Sequence, residues 1–117
     1  MRQVMWPTIG FVVAMAALIC GPMLTDSAMA GNKHVGEAIA HAKEAVDHGQ
    51  QGHPDAIVTH AQVALNHAKM AQKEMKNPHL DEGVHELMEA IAHGKEGHSK
   101  IATKHAKSAV MHLSEVK

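Results

Sequence analysis

The stretch His48-Gly-Gln-Gln-Gly-His53 decides how this chain folds. Outward from it, further histidines follow in steps of seven residues on both sides: His41 and His34 before it, His60 and His67 after it. Residues at equal distances from the stretch would face each other if the chain reversed direction there. Glycine favours such a reversal, because it adopts turn conformations at little steric cost. The spacing therefore predicts a helical hairpin with paired histidines.

Steps of seven residues place the histidines on one face of each helix. Seven residues turn the helix by ~700°, within ~20° of two full turns. In the first helix, Val35, Ile39 and Val46 lie roughly 120–160° around the helix from that face, whereas Ala38 and Ala45 border it. We therefore expect the histidines to flank the apolar core. They could meet within one hairpin or across to a neighbouring hairpin, and the spacing leaves both open.

The same pattern recurs 45 residues later, around His93-Gly-Lys-Glu-Gly-His98. Further histidines align in the same register: His34 with His79, His60 with His105, and His67 with His112. The exception is His41, which aligns with Glu86, next to His85. Two tandem hairpins predict an all-α fold, an antiparallel up-and-down four-helix bundle built from two duplicated helical hairpins.

Apolar residues three and four apart predict four helices, and no stretch alternates with period two for long enough to indicate a strand. We expect the first helix over 32–48, with Asn32 as its N-cap and Gly49 as its stop. The second should run over 54–75, with proline at its first position. The third should run over 77–93, and the fourth from about Ser99 to near the end of the chain.

Residues 1–30 have the composition of a secretory signal peptide. Arg2 precedes the nearly unbroken apolar run 9–20, and Ala28-Met29-Ala30 forms a small-x-small cleavage site. A retained membrane helix fits less well, because the apolar run is shorter than the roughly 20 residues that cross a bilayer. A lipid anchor at Cys20 fits less well too, because residues 17–19 depart from a lipobox. We predict export, cleavage after Ala30 and no membrane association afterwards.

Cleavage would leave residues 31–117 as the mature domain, without Trp6, Phe11 and Cys20. That domain has no thiol for a disulfide, a thiolate metal site or a nucleophile. The formal net charge of the whole chain is −1 with histidine neutral, and no basic patch indicates nucleic-acid binding. All 12 histidines remain in the domain. Histidine is therefore the residue type that indicates function.

Carboxylates lie one helical turn from many of these histidines, which places both on one helix face. The candidate metal ligands are His34, His41, His48, His53, His60, His67, His79, His85, His93, His98, His105, His112, Glu37, Glu44, Glu86 and Glu89. Imidazole and carboxylate suit Cu(II), Zn(II) and Ni(II), with Cu(II) bound most strongly in the Irving–Williams order. The pattern predicts several reversibly bound divalent ions, copper favoured over zinc and nickel, and no catalysis.

Three other interpretations remain open. The histidines could be tolerated polar residues, although histidine is only a middling helix former. Stacked histidines could make a pH-responsive interaction bundle, since they would repel once charged. A di-metal oxidoreductase would need Glu-x-x-His on two helices, and Glu82-x-x-His85 supplies only one, since Ala40 stands at the equivalent place in the first half.

The segments Glu37-Ala-Ile-Ala-His-Ala-Lys-Glu44 and Ala90-Ile-Ala-His-Gly-Lys-Glu-Gly-His98 resemble the small metal-binding protein (SmbP) family of ammonia-oxidising bacteria. The resemblance covers essentially all of residues 31–117. It implies a monomeric, periplasmic four-helix bundle that binds several divalent ions, copper favoured, and buffers or scavenges them. At Glu86 the heptad histidine is missing, and the ligand set there departs from the regular pattern.

Overall fold

The computed structural model describes residues 27–117, and their side chains from residue 32 onward. It contains α1 (Ser27–Gln50), α2 (Pro54–Glu74), α3 (Pro78–Lys95) and α4 (Ser99–Ser114). Each helix packs against two neighbours in the ring order α1, α2, α3, α4, with the closest association inside the hairpins α1/α2 and α3/α4. The predicted four-helix bundle of two hairpins is confirmed. The predictions made for residues 1–26 lie outside the described residues.

The starts of α2 and α3 follow the sequence signals. Pro54 and Pro78 occupy the first helical positions, where a missing N–H costs no hydrogen bond. Asn77 precedes α3 in an extended conformation, and its side-chain oxygen accepts a hydrogen bond from the His79 backbone N–H at 2.9 Å. The predicted start of α1 is wrong, because α1 begins at Ser27 and Asn32 lies inside it. Residues 27–30 are compatible with a helix and do not end it.

The turn that closes each hairpin is a Schellman motif, built around the second glycine of the pair. Gly52 and Gly97 have φ of 75° and 78°, a conformation that glycine adopts at little cost. His53 N–H donates to the His48 carbonyl at 3.0 Å, and His98 N–H donates to the His93 carbonyl at 2.9 Å. The prediction that Gly49 stops α1 is therefore wrong, since α1 continues to Gln50.

The first glycine of each pair serves helix packing instead. A Cβ atom on Gly94 would lie 2.7 Å from Val58 Cγ2, and one on Gly49 would collide with the Thr103 side chain. The two contacts are equivalent under the 45-residue shift, because Gly49 aligns with Gly94 and Val58 with Thr103. Glycine therefore lets α1 approach α4, and α3 approach α2, next to the turns.

Alanine forms most of the core. The fully buried alanines are Ala38, Ala42, Ala45, Ala61, Ala64, Ala68, Ala71, Ala90, Ala102, Ala106 and Ala109, and the largest fully buried side chains are Ile57, Leu80, Leu87 and Leu113. Ile39 and Val46, which the spacing placed on the core side of α1, are only half-buried. The centre of the α1 core lies at Ala38 and Ala45, which border the histidine face. Small side chains there let the backbones come close and leave the α1 histidines His34, His41 and His48 half-buried at the edge of the core.

Among the described residues, no helix has an apolar stretch long enough to cross a bilayer.

Candidate metal-binding site

The histidines of α1 and α2 face each other along one edge of the bundle, so the pairs close within the hairpin. We call this set of six residues the first ladder: His34, His41, His48, His53, His60 and His67. Ring centroids are 5.4 Å apart for His34/His67, 6.0 Å for His41/His60 and 6.3 Å for His48/His53. Diagonal neighbours are equally close, at 6.1 Å for His41/His67 and 5.0 Å for His48/His60. Imidazole groups therefore follow one another along the hairpin without a break.

A second ladder runs along the edge between α3 and α4. It consists of His79, Glu86, His93, His98, His105 and His112. Ring centroids are 6.2 Å apart for His79/His112, 5.8 Å for His93/His98 and 5.4 Å for His93/His105. At the middle position, Glu86 Oε2 lies 2.7 Å from His105 Nδ1. The carboxylate thus replaces the missing histidine in the pair.

The Schellman turns account for the pairs nearest the turns. This motif brings the residue just after the turn against a residue in the last helical turn, a contact that is usually apolar. Here both positions are histidine, as His48 and His53 in one hairpin and as His93 and His98 in the other. The local backbone geometry therefore places two imidazoles together before any packing between helices is considered.

Five groups of three side chains each bring one potential ligand atom per residue within 4.8 Å of the others. Every group combines two histidines with one carboxylate, and most draw on both helices of a hairpin. The groups are Glu37/His41/His67, His41/Glu44/His60, His79/His112/Glu115, Glu89/His93/His105 and His93/Glu96/His98. Ligand atoms that are each ~2 Å from one ion lie about 3 Å apart, so small side-chain adjustments would close these groups around an ion.

The group around Glu44 already has nearly that geometry. Glu44 Oε2 lies 3.1 Å from His41 Nδ1 and 2.7 Å from His60 Nδ1, so one carboxylate oxygen joins imidazoles of two helices. The two histidine side chains are 29% and 27% exposed, and that of Glu44 is 51% exposed. Ions could therefore reach the group from solvent while the imidazoles stay held against the bundle.

Two buried imidazole atoms have no hydrogen-bond partner among the described residues: Nδ1 of His48 and Nδ1 of His93. The two histidines are equivalent under the 45-residue shift. Buried polar atoms in proteins are nearly always satisfied. His93 Nδ1 is 3.8 Å from Glu96 Oε2, too far for a hydrogen bond, while His98 Nδ1 is 3.2 Å from the same oxygen. A metal ion held between these residues would give the free nitrogen of His93 a partner. Two imidazoles and one carboxylate are a donor set that suits such an ion.

Five of the predicted ligands lie outside the three-residue groups. His34 Nδ1 lies 3.1 Å from His67 Nδ1, without a carboxylate in the group. His48 and His53 pair only with other histidines, and Glu86 pairs with His105. His85 is exposed and stacks on no other histidine in residues 32–117. Ligation by the predicted residues remains a prediction.

Two carboxylates in the groups were absent from the predicted ligands. Glu115 Oε2 lies 3.0 Å from His79 Nδ1, and Glu96 lies between His93 and His98 in the second turn. Each follows a histidine at a distance of three residues, since Glu96 follows His93 and Glu115 follows His112. The rule that pairs residues one helical turn apart would have found both.

A small helical bundle whose two hairpins each bring imidazole and carboxylate groups together has the features of a metal-binding protein, and its candidate ligand groups among the described residues contain no thiolate. A sequence model of the small metal-binding protein family matches residues 8–116, and the chain belongs to this family. A search of curated proteins finds no match. Family membership confirms the resemblance seen in the sequence and supports metal binding by the histidine–glutamate groups.

Proposed function

We propose that the protein reversibly binds several divalent ions in the periplasm, with copper favoured over zinc and nickel, and that it buffers or scavenges them. The observation that carries the proposal is the His41/Glu44/His60 group, in which two imidazoles from different helices meet one carboxylate oxygen. The proposal extends the metal binding of the family to a preferred ion, a location and a role.

Copper is favoured by the chemistry of the donors. Imidazole nitrogen and carboxylate oxygen are ligands of Cu(II), Zn(II) and Ni(II), and Cu(II) binds such donors most strongly. Residues 31–117 contain no cysteine, so a thiolate site for Cu(I) is not available in them. The ligand groups are similar in composition, and four of the five contain at least one exposed side chain. Groups of similar composition, most of them partly open to solvent, suit exchange of several ions better than permanent retention of one.

The proposed role includes neither catalysis nor assembly. His85, which would belong to a Glu-x-x-His ligand pair of a di-metal enzyme, is exposed and outside the five groups. Each of the five groups is also complete within a single chain. A monomer would therefore suffice to bind the ions.

The proposed location depends on the signal peptide predicted for residues 1–30. Val35, the first buried core residue in the described part of α1, follows the predicted cleavage site, so removal of residues 1–30 would leave the described core intact. Export of the full-length chain in a Gram-negative host, followed by mass measurement of the periplasmic protein, tests this. We expect Gly31 at the N-terminus; recovery of the uncleaved chain from the cytoplasm would contradict it.

Calorimetric titration of the metal-free protein with Cu(II), Zn(II) and Ni(II) tests the function. We expect at least two ions of each metal per chain, bound reversibly and in the affinity order that places Cu(II) first. Binding of fewer than two ions would contradict the buffer role. A melting temperature that falls between pH 7 and pH 5 and does not respond to metal would instead favour the pH-responsive interpretation.

A further inference from the structure

We infer that neighbouring metal sites in each hairpin are alternatives, because they share one histidine, and that the five groups hold at most three fully coordinated ions at once. The inference rests on the proposed metal-binding function and concerns how occupancy of its sites is limited.

The first hairpin contains two groups that overlap at His41. This residue joins Glu37 and His67 in one group and Glu44 and His60 in the other. Its ring lies between the rings of His60 and His67, at centroid distances of 6.0 Å and 6.1 Å. An ion on either side of His41 would therefore need the same imidazole to complete three protein ligands.

The second hairpin repeats this overlap at a different place. His93 joins Glu89 and His105 in one group and Glu96 and His98 in the other. Its ring is 5.4 Å from that of His105 and 5.8 Å from that of His98. The remaining group of this hairpin shares no residue with these two: His79, His112 and Glu115.

One neutral imidazole supplies one ligand. It has a single nitrogen with a free lone pair, and its other nitrogen carries a proton. To bind two ions it would have to lose that proton and bridge two dications. We expect a second ion to find only two protein ligands in the overlapping group and to bind there more weakly. Each hairpin therefore holds one ion at its two overlapping groups, and the separate His79 group holds a third ion.

The overlap is not a simple copy of the sequence duplication. His41 aligns with Glu86, and His93 aligns with His48, so the shared histidine lies in the middle of the first ladder and next to the turn in the second. Both hairpins are therefore limited to one ion at their overlapping groups, although the shared histidine occupies a different position in each.

Counting Cu(II) ions that remain bound against a weak competing chelator tests the inference. The wild-type protein should retain three ions. His60→Ala and His67→Ala should each also retain three, because one complete group survives in the first hairpin. His41→Ala, and the double variant His60→Ala/His67→Ala, should retain two.

Independent sites would give different numbers. The wild type would retain five ions, each single variant at His60 or His67 four, and His41→Ala and the double variant three. That pattern would overturn the inference, as would a loss of one ion in either single variant. His85→Ala is the matched control, since His85 is exposed and outside the groups, and it should change nothing. Circular dichroism of each metal-free variant checks that the helices form.

Electron paramagnetic resonance of the copper-loaded protein gives a second readout. If the overlapping sites are alternatives, the retained Cu(II) ions should give the signals of magnetically isolated ions. An exchange-coupled pair would show an imidazole bridging two ions and would overturn the inference while leaving the proposed function intact. Absence of any retained Cu(II), Zn(II) or Ni(II) would contradict the proposed function itself.

Discussion

Two equivalent histidines have different surroundings because of one neighbouring residue. His48 and His93 occupy the same position in the two halves, and both have a buried Nδ1 atom without a hydrogen-bond partner. Only His93 belongs to a three-residue group with the histidine across the turn, because Glu96 lies beside it. The first turn has Gln51 at that position. The amide keeps the length of the side chain but removes the charge that would attract a cation.

Gln51→Glu should therefore create an additional site with His48 and His53. These two residues belong to none of the five groups, so the new site shares no ligand with them. We expect one more retained Cu(II) ion per chain in the competition experiment described above. Gln50→Glu is the control, because it adds the same charge to the neighbouring exposed position. An equal gain in both variants would mean that net charge, and not placement, attracts the ion.

The His34/His67 pair lacks a carboxylate because the residue at the corresponding position of the first half is not acidic. Met70 stands where Glu115 stands in the second half, three residues after the ladder histidine, and its side chain is 45% exposed. Glu115 lies 3.0 Å from His79 Nδ1, and His79 is the counterpart of His34.

Met70→Glu should complete a site with His34 and His67. An ion there would occupy His67 and leave His41, Glu44 and His60 free for another ion, so we expect one additional retained Cu(II). Met70→Gln has the same length without the charge and should leave the number of retained ions unchanged. If the glutamine variant gains an ion as well, the missing carboxylate is not what limits binding at this pair.

At the scale of the helices, hydrophobic spacing and end signals predicted α2, α3 and α4 closely. Asn77-Pro78 carries a cap and a first-turn proline, both of which act locally. The glycines were harder to assign. Each turn contains two glycines three residues apart, and only the backbone conformation shows that Gly52 has positive φ while Gly49 allows close packing. Packing between helices depends on residues far apart in the sequence, such as Gly49 and Thr103, which local patterns do not reveal.

Gly49→Ala should destabilise the bundle. Its methyl group would collide with Thr103 and lie 3.1 Å from Ile57 Cδ1, and overpacking of this kind typically costs about 1–3 kcal/mol. Gly36→Ala is the matched control in the same helix, because nothing lies within 4 Å of the added atom. It should stabilise the protein by about 0.4–1 kcal/mol by restricting the unfolded chain. Urea unfolding of the metal-free variants measures both; a stabilising Gly49→Ala would contradict the packing role.

The pairing of histidines was only partly predictable at this scale. Spacing identified which histidines share a helix face, but the direction in which that face points depends on the hand of the bundle. The structure turns both faces of a hairpin toward each other, with His41 next to His60 and His67. The half-buried state of Ile39 and the burial of Ala38 follow from the same rotation of α1.

At the scale of the whole molecule, stability depends on a core of mostly small side chains. Alanine buries little apolar area, and hydrophobic stabilisation is roughly proportional to that area. The ligand groups lie between the helices of each hairpin, so ions bound there would connect helices that the core holds with limited strength.

We expect bound ions to raise the melting temperature. A ligand that binds only the folded state stabilises it by mass action, by about 2.7 kcal/mol per site when its free concentration is 100 times Kd. Differential scanning calorimetry with and without Cu(II) measures the effect. His41→Ala/His93→Ala, which removes both shared histidines, should reduce the increase caused by copper. An undiminished increase would mean that the ions stabilise the fold elsewhere.

Copper binding should weaken as the solution becomes more acidic. A histidine must be neutral to ligate, so protons compete with the ion and affinity is lost on the acidic side. Titrations at pH 7.5, 6.5 and 5.5 should show a progressive rise in Kd. Constant affinity across this range would indicate that carboxylates alone hold the metal.

The ring order of the helices also determines how the bound charge is distributed. The edge between α1 and α2 and the edge between α3 and α4 lie on opposite sides of the ring of helices, so ions bound at the two ladders would be separated by the bundle. Along the second ladder, His79 and His93 are 14 residues apart, about 21 Å of helix. The Debye length at physiological ionic strength is about 8 Å. Dications at these positions would be largely screened from one another, so a chain carrying one ion should repel the next only weakly.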